Sequence, residues 1–264
     1  MERNQFGKTS RLAVQTEYRD GKTILSDVSF TAPYKLMHPF PKPNGGAQII
    51  PVCASAGIMR GDRQEFFYQI GEGTELEVLS QSYDKIHKME DGCAQRHIQL
   101  EVQHNATLYY APQPVIPFAH SAFDSTIDIQ LTDETSRLFF QDILSCGRTA
   151  YGERFAYRRF SSKIMVSRAG ELIYRDNTRY EPERMPMESI GMYEGYTHMA
   201  NLLLFGVDAQ TQEEIWELID ASDCDGGVTA LDPHHLVVRL FGVRAQQLQR
   251  VSEQLKTLFE KHIQ

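Results

Sequence analysis

A strand–turn–strand unit occurs three times in the first half of the chain, and that repetition constrains the fold more than any other feature. Ile70-Gly71-Glu72-Gly73-Thr74-Glu75-Leu76 and Val102-Gln103-His104-Asn105-Ala106-Thr107-Leu108 place a strand end, a polar tight turn and a new strand in the same order, 32 residues apart. A looser copy follows about 30 residues on, with Ile129-Gln130-Leu131, the turn Asp133-Glu134-Thr135-Ser136, and Leu138-Phe139-Phe140. Self-similarity at this period predicts a winding chain that lays strand pairs on one another in layers.

The flanking sequence extends the pattern. Leu12, Val14, Thr16 and Tyr18 alternate with polar neighbours, Asp20-Gly21 supplies a hairpin turn, and the extended pattern resumes over 24–30. The stretches 155–160, 163–167 and 171–175 read as further strands, with Ala169-Gly170 as a turn. Over 181–195, Pro182, Pro186, Gly191 and Gly195 break the alternation and mark an irregular connection. Beyond it 201–207 reads as a strand. Thr211-Gln212-Glu213-Glu214 reads as a capping box, with Thr211 accepting from the Glu214 amide and Glu214 reaching back. Ile215, Trp216, Leu218 and Ile219 then form one helical face. The stretches 228–231 and 236–241 are strand-like, and Leu248, Val251, Leu255, Leu258 and Phe259 recur at helical spacing. The expected fold is mainly β, with stacked sheets and β-helix-like winding, plus a small C-terminal α/β portion with two helices. Residues 1–180 form the β-rich body, and 181–264 the connecting segment and α/β part, packed with the body as one domain.

Charge and composition exclude several function classes. The 264 residues hold 27 Lys and Arg against 35 Asp and Glu, a formal charge of −8, and 10% are aromatic. A chain this long buries roughly three quarters of its unfolded surface, so its core needs neither disulfide nor metal. The acidic balance argues against nucleic acid as a partner, because gripping phosphates takes clustered Lys and Arg. The apolar run 202–205 is far too short to cross a membrane. The amino end, residues 1–8, is polar and lacks the apolar core of a secretory signal. Cys53, Cys93, Cys146 and Cys224 form no Cys-x-x-Cys pair, which fits reduced, buried thiols in a cytoplasmic protein.

No phosphate loop, nucleophile elbow or His-Glu-x-x-His is present, and Gly71-Glu72-Gly73 fails the dinucleotide fingerprint because Leu76 stands where its third Gly belongs. His87, Glu90, Asp91, Cys93 and His97 are the densest set of potential metal ligands, but their spacing fits no standard set and reads first as a polar turn at Asp91-Gly92. His234 and His235 are adjacent in an extended stretch, so they face opposite sides and do not share an ion. Asp62, Asp84, Asp142, Glu153 and Asp176 could supply an acid/base pair or a run of weak metal ligands, and each also reads as a turn or surface carboxylate.

Four strings in order are more specific. They are Gly57-Ile58-Met59-Arg60-Gly61-Asp62, Ser80-Gln81-Ser82-Tyr83-Asp84-Lys85, Ala111-Pro112-Gln113-Pro114-Val115-Ile116-Pro117-Phe118, and Asp142-Ile143-Leu144-Ser145-Cys146-Gly147-Arg148-Thr149-Ala150-Tyr151-Gly152-Glu153. Over nearly the whole chain the sequence resembles the UreD/UreH-type urease accessory proteins. Tyr193-Glu194-Gly195-Tyr196-Thr197-His198 makes the UreH branch the nearer resemblance.

The resemblance implies a non-enzymatic maturation chaperone. Such a protein forms a complex with UreF and the GTPase UreG, then docks on apo-urease so that its nickel site is loaded, through an internal passage. It implies no tightly bound cofactor, only nickel in transit. Asp62 and Glu153 carry over as polar lining residues, and with Ser82, Asp84 and Asp142 they make up the expected transit set. Gly61, Pro114, Gly147, Arg148, Gly152, Tyr193, Tyr196 and His198 are the expected partner-binding or structural positions. Gly147-Arg148 reads equally as a turn and as a partner contact. The apolar segments 112–118 and 185–196 are the candidates for meeting UreF.

A transit role suits the missing tight site, since each 1.4 kcal/mol of added affinity slows release about tenfold. Two readings compete: a carbohydrate-active β-solenoid enzyme using two of Asp62, Asp142, Glu153 and Asp176, and a β-rich protein-binding module with no metal role.

Overall fold

The repeats become successive turns of a winding chain. The structure is a computed structural model that describes residues 9–208 and 210–263; the amino-terminal reading over 1–8 lies outside them. The chain opens with the hairpin β1 (Thr9–Arg19) and β2 (Lys22–Phe30), then four short strands: β3 (Tyr34–Lys35), β4 (Phe40–Pro41), β5 (Ala47–Ile49) and β6 (Val52–Cys53). The repeat units follow as β7 (Arg63–Ile70) with β8 (Glu75–Val78), β10 (Ala94–Val102) with β11 (Thr107–Tyr110), and β13 (Ala122–Leu131) with β14 (Arg137–Ser145). Between them lie the short strands β9 (Asp84–Ile86) and β12 (Val115–Pro117). The hairpin β15 (Arg159–Arg168) and β16 (Glu171–Tyr180) completes the body. The remainder is β17 (His198–Phe205), α1 (Thr211–Asp220), β18 (Asp225–Asp232), β19 (His235–Gly242) and α2 (Ala245–His262).

Each repeat turn carries the chain from one sheet to the other. The first sheet has the order β16-β15-β13-β10-β7-β1-β2, and the second runs β18-β19-β17-β14-β11-β8-β5-β4. Successive copies stack parallel and in register: Ile70 pairs with Val102 and Val102 with Leu131 in the first sheet, Leu76 with Leu108 and Leu108 with Leu138 in the second. The turns are tied by their polar residues. Thr74 Oγ1 donates to Gly71 O at 2.6 Å, and Ser136 Oγ donates to Val102 O at 3.0 Å. Gly71 is required at its turn, because a Cβ there would lie 2.2 Å from Thr16 O. β17 pairs antiparallel with β14, so the C-terminal strands extend the second sheet.

Two apolar cores flank that second sheet. Tyr68, Ile98, Ile127, Phe140 and Leu203 fill the space between the sheets. Leu202, Leu204, Ile215, Leu248, Leu255 and Phe259 fill the space between the second sheet and the helices. The alternation of a strand supplies both faces of β17, and Phe259 of α2 lies edge-on to Tyr109 and Phe139, ring centroids 5.6 and 5.8 Å apart.

Several local expectations need correction. Residues 155–158 are not strand: β15 begins at Arg159, and Phe155 takes a left-handed φ of 49° that ends extended pairing. The capping box does not form. Gln210 holds the cap position with no side-chain bond, Thr211 is the first helical residue, and Glu214 pairs with Lys261 of α2 at 2.9 Å. Cys146 alone is buried; Cys53 is exposed, and Cys93 and Cys224 are half-buried.

Candidate functional site

A polar layer cuts across the space between the sheets. In the first sheet Gln64, Arg96, Ser125, Ser162 and Thr178 stand in one register row on β7, β10, β13, β15 and β16. In the second sheet Asp142, Asn201 and Arg239 form the matching row on β14, β17 and β19. On either side of the layer the same strands are apolar. Ala94, Phe123, Phe160 and Leu144 precede or follow it in one cluster, and Ile98, Ile127, Ile164 and Phe140 belong to the other. Because side chains two apart share a face, one polar residue per strand at a shared register makes a continuous stratum. Burying such a row costs free energy unless it is hydrogen-bonded, and most of it is. Arg96 pairs with Asp84 at 2.7 Å and donates to Gln64 at 2.8 Å. Ser162 donates to Asp142 at 3.3 Å, and Arg239 pairs with Asp176 at 2.8 Å. Asn201 Oδ1 is buried with no partner.

The half of the layer that runs from Asp84 to Asp142 has a small hollow, a cavity of about 30 Å³ against which Asp84, Arg96, Ser125, Asp142 and Ser162 lie. That is about the room a single water occupies. Burial pushes the Asp142 carboxyl up to about 6, against the pull of the Ser162 hydrogen bond and the Arg96 charge, while Asp176 and Asp84 add to the rise. Burial disfavours the Arg96 charge, but the Asp84 carboxylate more than offsets it, so its pKa stands above the ordinary arginine value. The guanidinium lies 5.4 Å from the ring centroids of both Phe66 and Phe123. The layer thus presents carboxylates at both ends and in the middle, with a fixed cation near each end.

The fourth sequence string builds a second feature beside β14. Glu153 Oε2 accepts from Arg148 Nε at 2.8 Å and from the Ala119 amide at 3.1 Å, and its other oxygen also meets Arg148. Those hydrogen bonds from Arg148 hold the Glu153 carboxyl below the usual glutamate range. Arg148 lies over Phe118 at 4.0 Å and Tyr151 at 5.0 Å. Gly147 has φ 139°, and a Cβ on it would meet Glu153 O at 2.8 Å. His198, at the start of β17, is buried, and loss of solvent lowers its pKa to about 4.

The model of the UreD urease accessory protein family matches residues 8–264. A urease accessory protein UreD of Acetivibrio thermocellus is 34% identical over 260 residues, covering 97% of this chain and 99% of the relative. UreH proteins of Helicobacter acinonychis and Helicobacter pylori strain P12 are 34% and 33% identical, over 98% and 96% of this chain and 98% and 95% of their own lengths. The chain belongs to the UreD family of urease accessory proteins. It is therefore a non-catalytic protein of urease maturation, which sets aside the carbohydrate-enzyme alternative. Among the described residues there is no group of three or more His, Cys, Asp or Glu able to hold a metal ion, and no helix long and apolar enough to cross a membrane. The dense ligand set is dispersed: His97 pairs with Asp128 at 2.7 Å, Asp91 with Arg60 at 2.6 Å, and His87 Nε2 meets Ala56 O at 3.0 Å.

In this UreD-family fold the expected transit residues part company. Asp84 and Asp142 lie on the polar layer. Asp62 instead closes its own turn, accepting from the Met59 amide at 2.7 Å, Ser82 is exposed, and Glu153 is committed to Arg148. Of the other expected positions, Gly61 donates to Cys93 O at 3.1 Å, Pro114 O accepts from the Asp84 amide at 3.0 Å, and Gly152 ends the short 3₁₀ turn Thr149–Tyr151 with φ 74°. Tyr193 is fully buried, its ring centroid 4.8 Å from Phe155 and 5.4 Å from Phe241, and Tyr196 lies 6.0 Å from Phe241. The layer's other members, Gln64, Arg96, Ser125, Ser162, Thr178, Asn201 and Arg239, escaped the sequence reading. The available signal was a lone polar residue at an inward position of each strand, two residues from apolar ones.

Proposed function

We propose that this chain works in the nickel-loading step of urease maturation. It joins UreF and the GTPase UreG, docks on apo-urease in the cytoplasm, and passes nickel along the polar layer as cargo. The observation that supports this reading is the layer itself, with Asp142 at its centre and Asp84 and Asp176 toward its ends. Carboxylate, hydroxyl and amide oxygens suit a divalent ion that must leave again, whereas a closed thiolate and imidazole cage would retain nickel, which stands near the top of the divalent affinity order. The 30 Å³ hollow admits one water-sized occupant, so passage requires transient parting of the layer, first at the ion pairs that close its ends.

The experiment compares the wild-type chain with Asp142→Asn and Asp84→Asn in urease activation, reading nickel bound per urease. The expected result is several-fold lower loading with UreF and UreG still co-purifying. Full loading by both variants would overturn the transit reading and leave the chain as a docking subunit.

A further inference from the structure

Apart from the polar layer, a surface groove of about 540 Å³ opens between the turn Thr149–Tyr151, β9, β12 and the amino end of α2. Its charge is the reverse of the molecule's. The chain carries −8, yet Lys85, Arg148 and Arg244 line this groove and no carboxylate does. Arg148 is neutralised from behind by Glu153, whereas neither Lys85 Nζ nor the Arg244 guanidinium has an ion-pair partner among the described residues. α2 is 18 residues long, and no side chain caps its amino end, so unsatisfied N–H groups add a partial positive charge there.

His198 gives the groove a second kind of handle. The one hydroxyl proton of Thr197 goes to Val243 O at 2.8 Å, since a carbonyl can only accept. His198 Nδ1, 2.8 Å from the same Thr197 oxygen, is then the donor. Nε2 keeps its lone pair, and the ring, 8% exposed and without a partner at Nε2 among the described residues, lines the groove. At its low pKa of about 4 the ring stays neutral and accepts a hydrogen bond. Beside it, Tyr151 stands 78% exposed with Arg148 against its ring. Tyr and Arg are the side chains that most often anchor protein contacts.

We propose that this groove is the docking site for an acidic peptide segment of a protein partner. A carboxylate of the segment is held by Lys85, Arg244 and the amino end of α2. A backbone N–H of the segment donates to His198 Nε2, and an apolar side chain covers Tyr151 and Phe118. The inference stands apart from the nickel reading, because neither the groove nor its test involves the metal.

The test uses the full chain and a short fluorescein-labelled peptide of alternating Glu and Leu, followed by anisotropy. The peptide is expected to bind, and the exposed double variant K85E/R244E to weaken it at least tenfold. Arg184→Glu, in the separate arginine-rich cleft with Arg158, Arg159 and Arg179, is expected to leave affinity unchanged. Peptide addition is also expected to move the His198 Nε2 resonance. Several outcomes would overturn the proposal: no binding to the wild type, equal loss in Arg184→Glu, equal binding of a Lys-Leu peptide, or a stationary His198 signal. Full competition by inorganic phosphate at constant ionic strength would likewise overturn it, by marking a simple anion hole.

Discussion

Arg96 and Asp84 stand 2.7 Å apart where the polar layer nears the surface, with the guanidinium almost wholly buried and the carboxylate about a third exposed. The pair closes that end of the layer and also holds Gln64 in place. Replacing Arg96 with Met keeps the packing against Phe66 and Phe123 but leaves Asp84 and Gln64 without their partner. Breaking a buried pair from one side costs about 3 kcal/mol when the orphan stays partly hydrated. Urea unfolding is expected to show that loss as a lower midpoint at unchanged slope.

Asp142 makes stability depend on pH in an unusual direction. Its folded pKa is about 6 against an ordinary 3.8, so between those values the folded state binds more protons than the unfolded one. Stability contributed by this group is complete below about pH 4 and is lost as pH rises through about 6. Asp142→Asn removes the burial cost of the charge, so the variant is expected to gain on the wild type by about 1 to 2 kcal/mol at pH 7 and to lose that advantage at pH 4. Chemical denaturation of both proteins across this range measures it. A difference independent of pH would contradict the raised pKa.

Gly147 has no tolerance for a side chain. At φ 139° and with Glu153 O 2.8 Å from a built Cβ, Gly147→Ala strains the backbone and pushes the turn away from β14. The expected loss is about 2 to 4 kcal/mol, seen as a lower melting temperature. Gly152→Ala, with a left-handed φ but open space around it, is expected to cost only about 1 kcal/mol.

Glu153 and Asp142 belong to one sequence string but have separate roles in the fold. Glu153→Gln loosens its pairing with Arg148 while keeping an acceptor for Ala119, at a cost of about 1 kcal/mol. Hydrogen exchange over 147–153 is expected to quicken. Nickel loading of urease is expected to stay near wild type in this variant and to fall in Asp142→Asn, so the pair separates turn architecture from transit.

What the sequence determined by itself was the architecture, because the determinants are local. Turn residues such as Gly71 and Thr74 and strand alternation around Leu76, Leu108 and Leu138 recur at a period that only stacking satisfies. The two helices were also legible, from Ile215 and Ile219 and from Leu248 to Phe259. Finer local detail failed where neighbours intervened: Glu214 left its expected cap for Lys261 on another helix, and Phe155 turned left-handed to pack on Tyr193.

Only the tertiary structure decided which polar residues act together. Arg96, Ser125, Ser162, Asp142 and Asn201 come from five strands spread along the chain, and all but Asp142 read alone as ordinary polar residues in a strand. Register across two sheets brings them into one layer, and nothing in the spacing along the chain encodes which register position the two sheets will share. Asp62 and Glu153 show the reverse, since short-range hydrogen bonds from Met59 and Arg148 hold their carboxylates in local turns. The physical reason is that a turn is settled by interactions over a few residues, whereas a buried polar layer exists only after long-range packing has excluded water from both its sides.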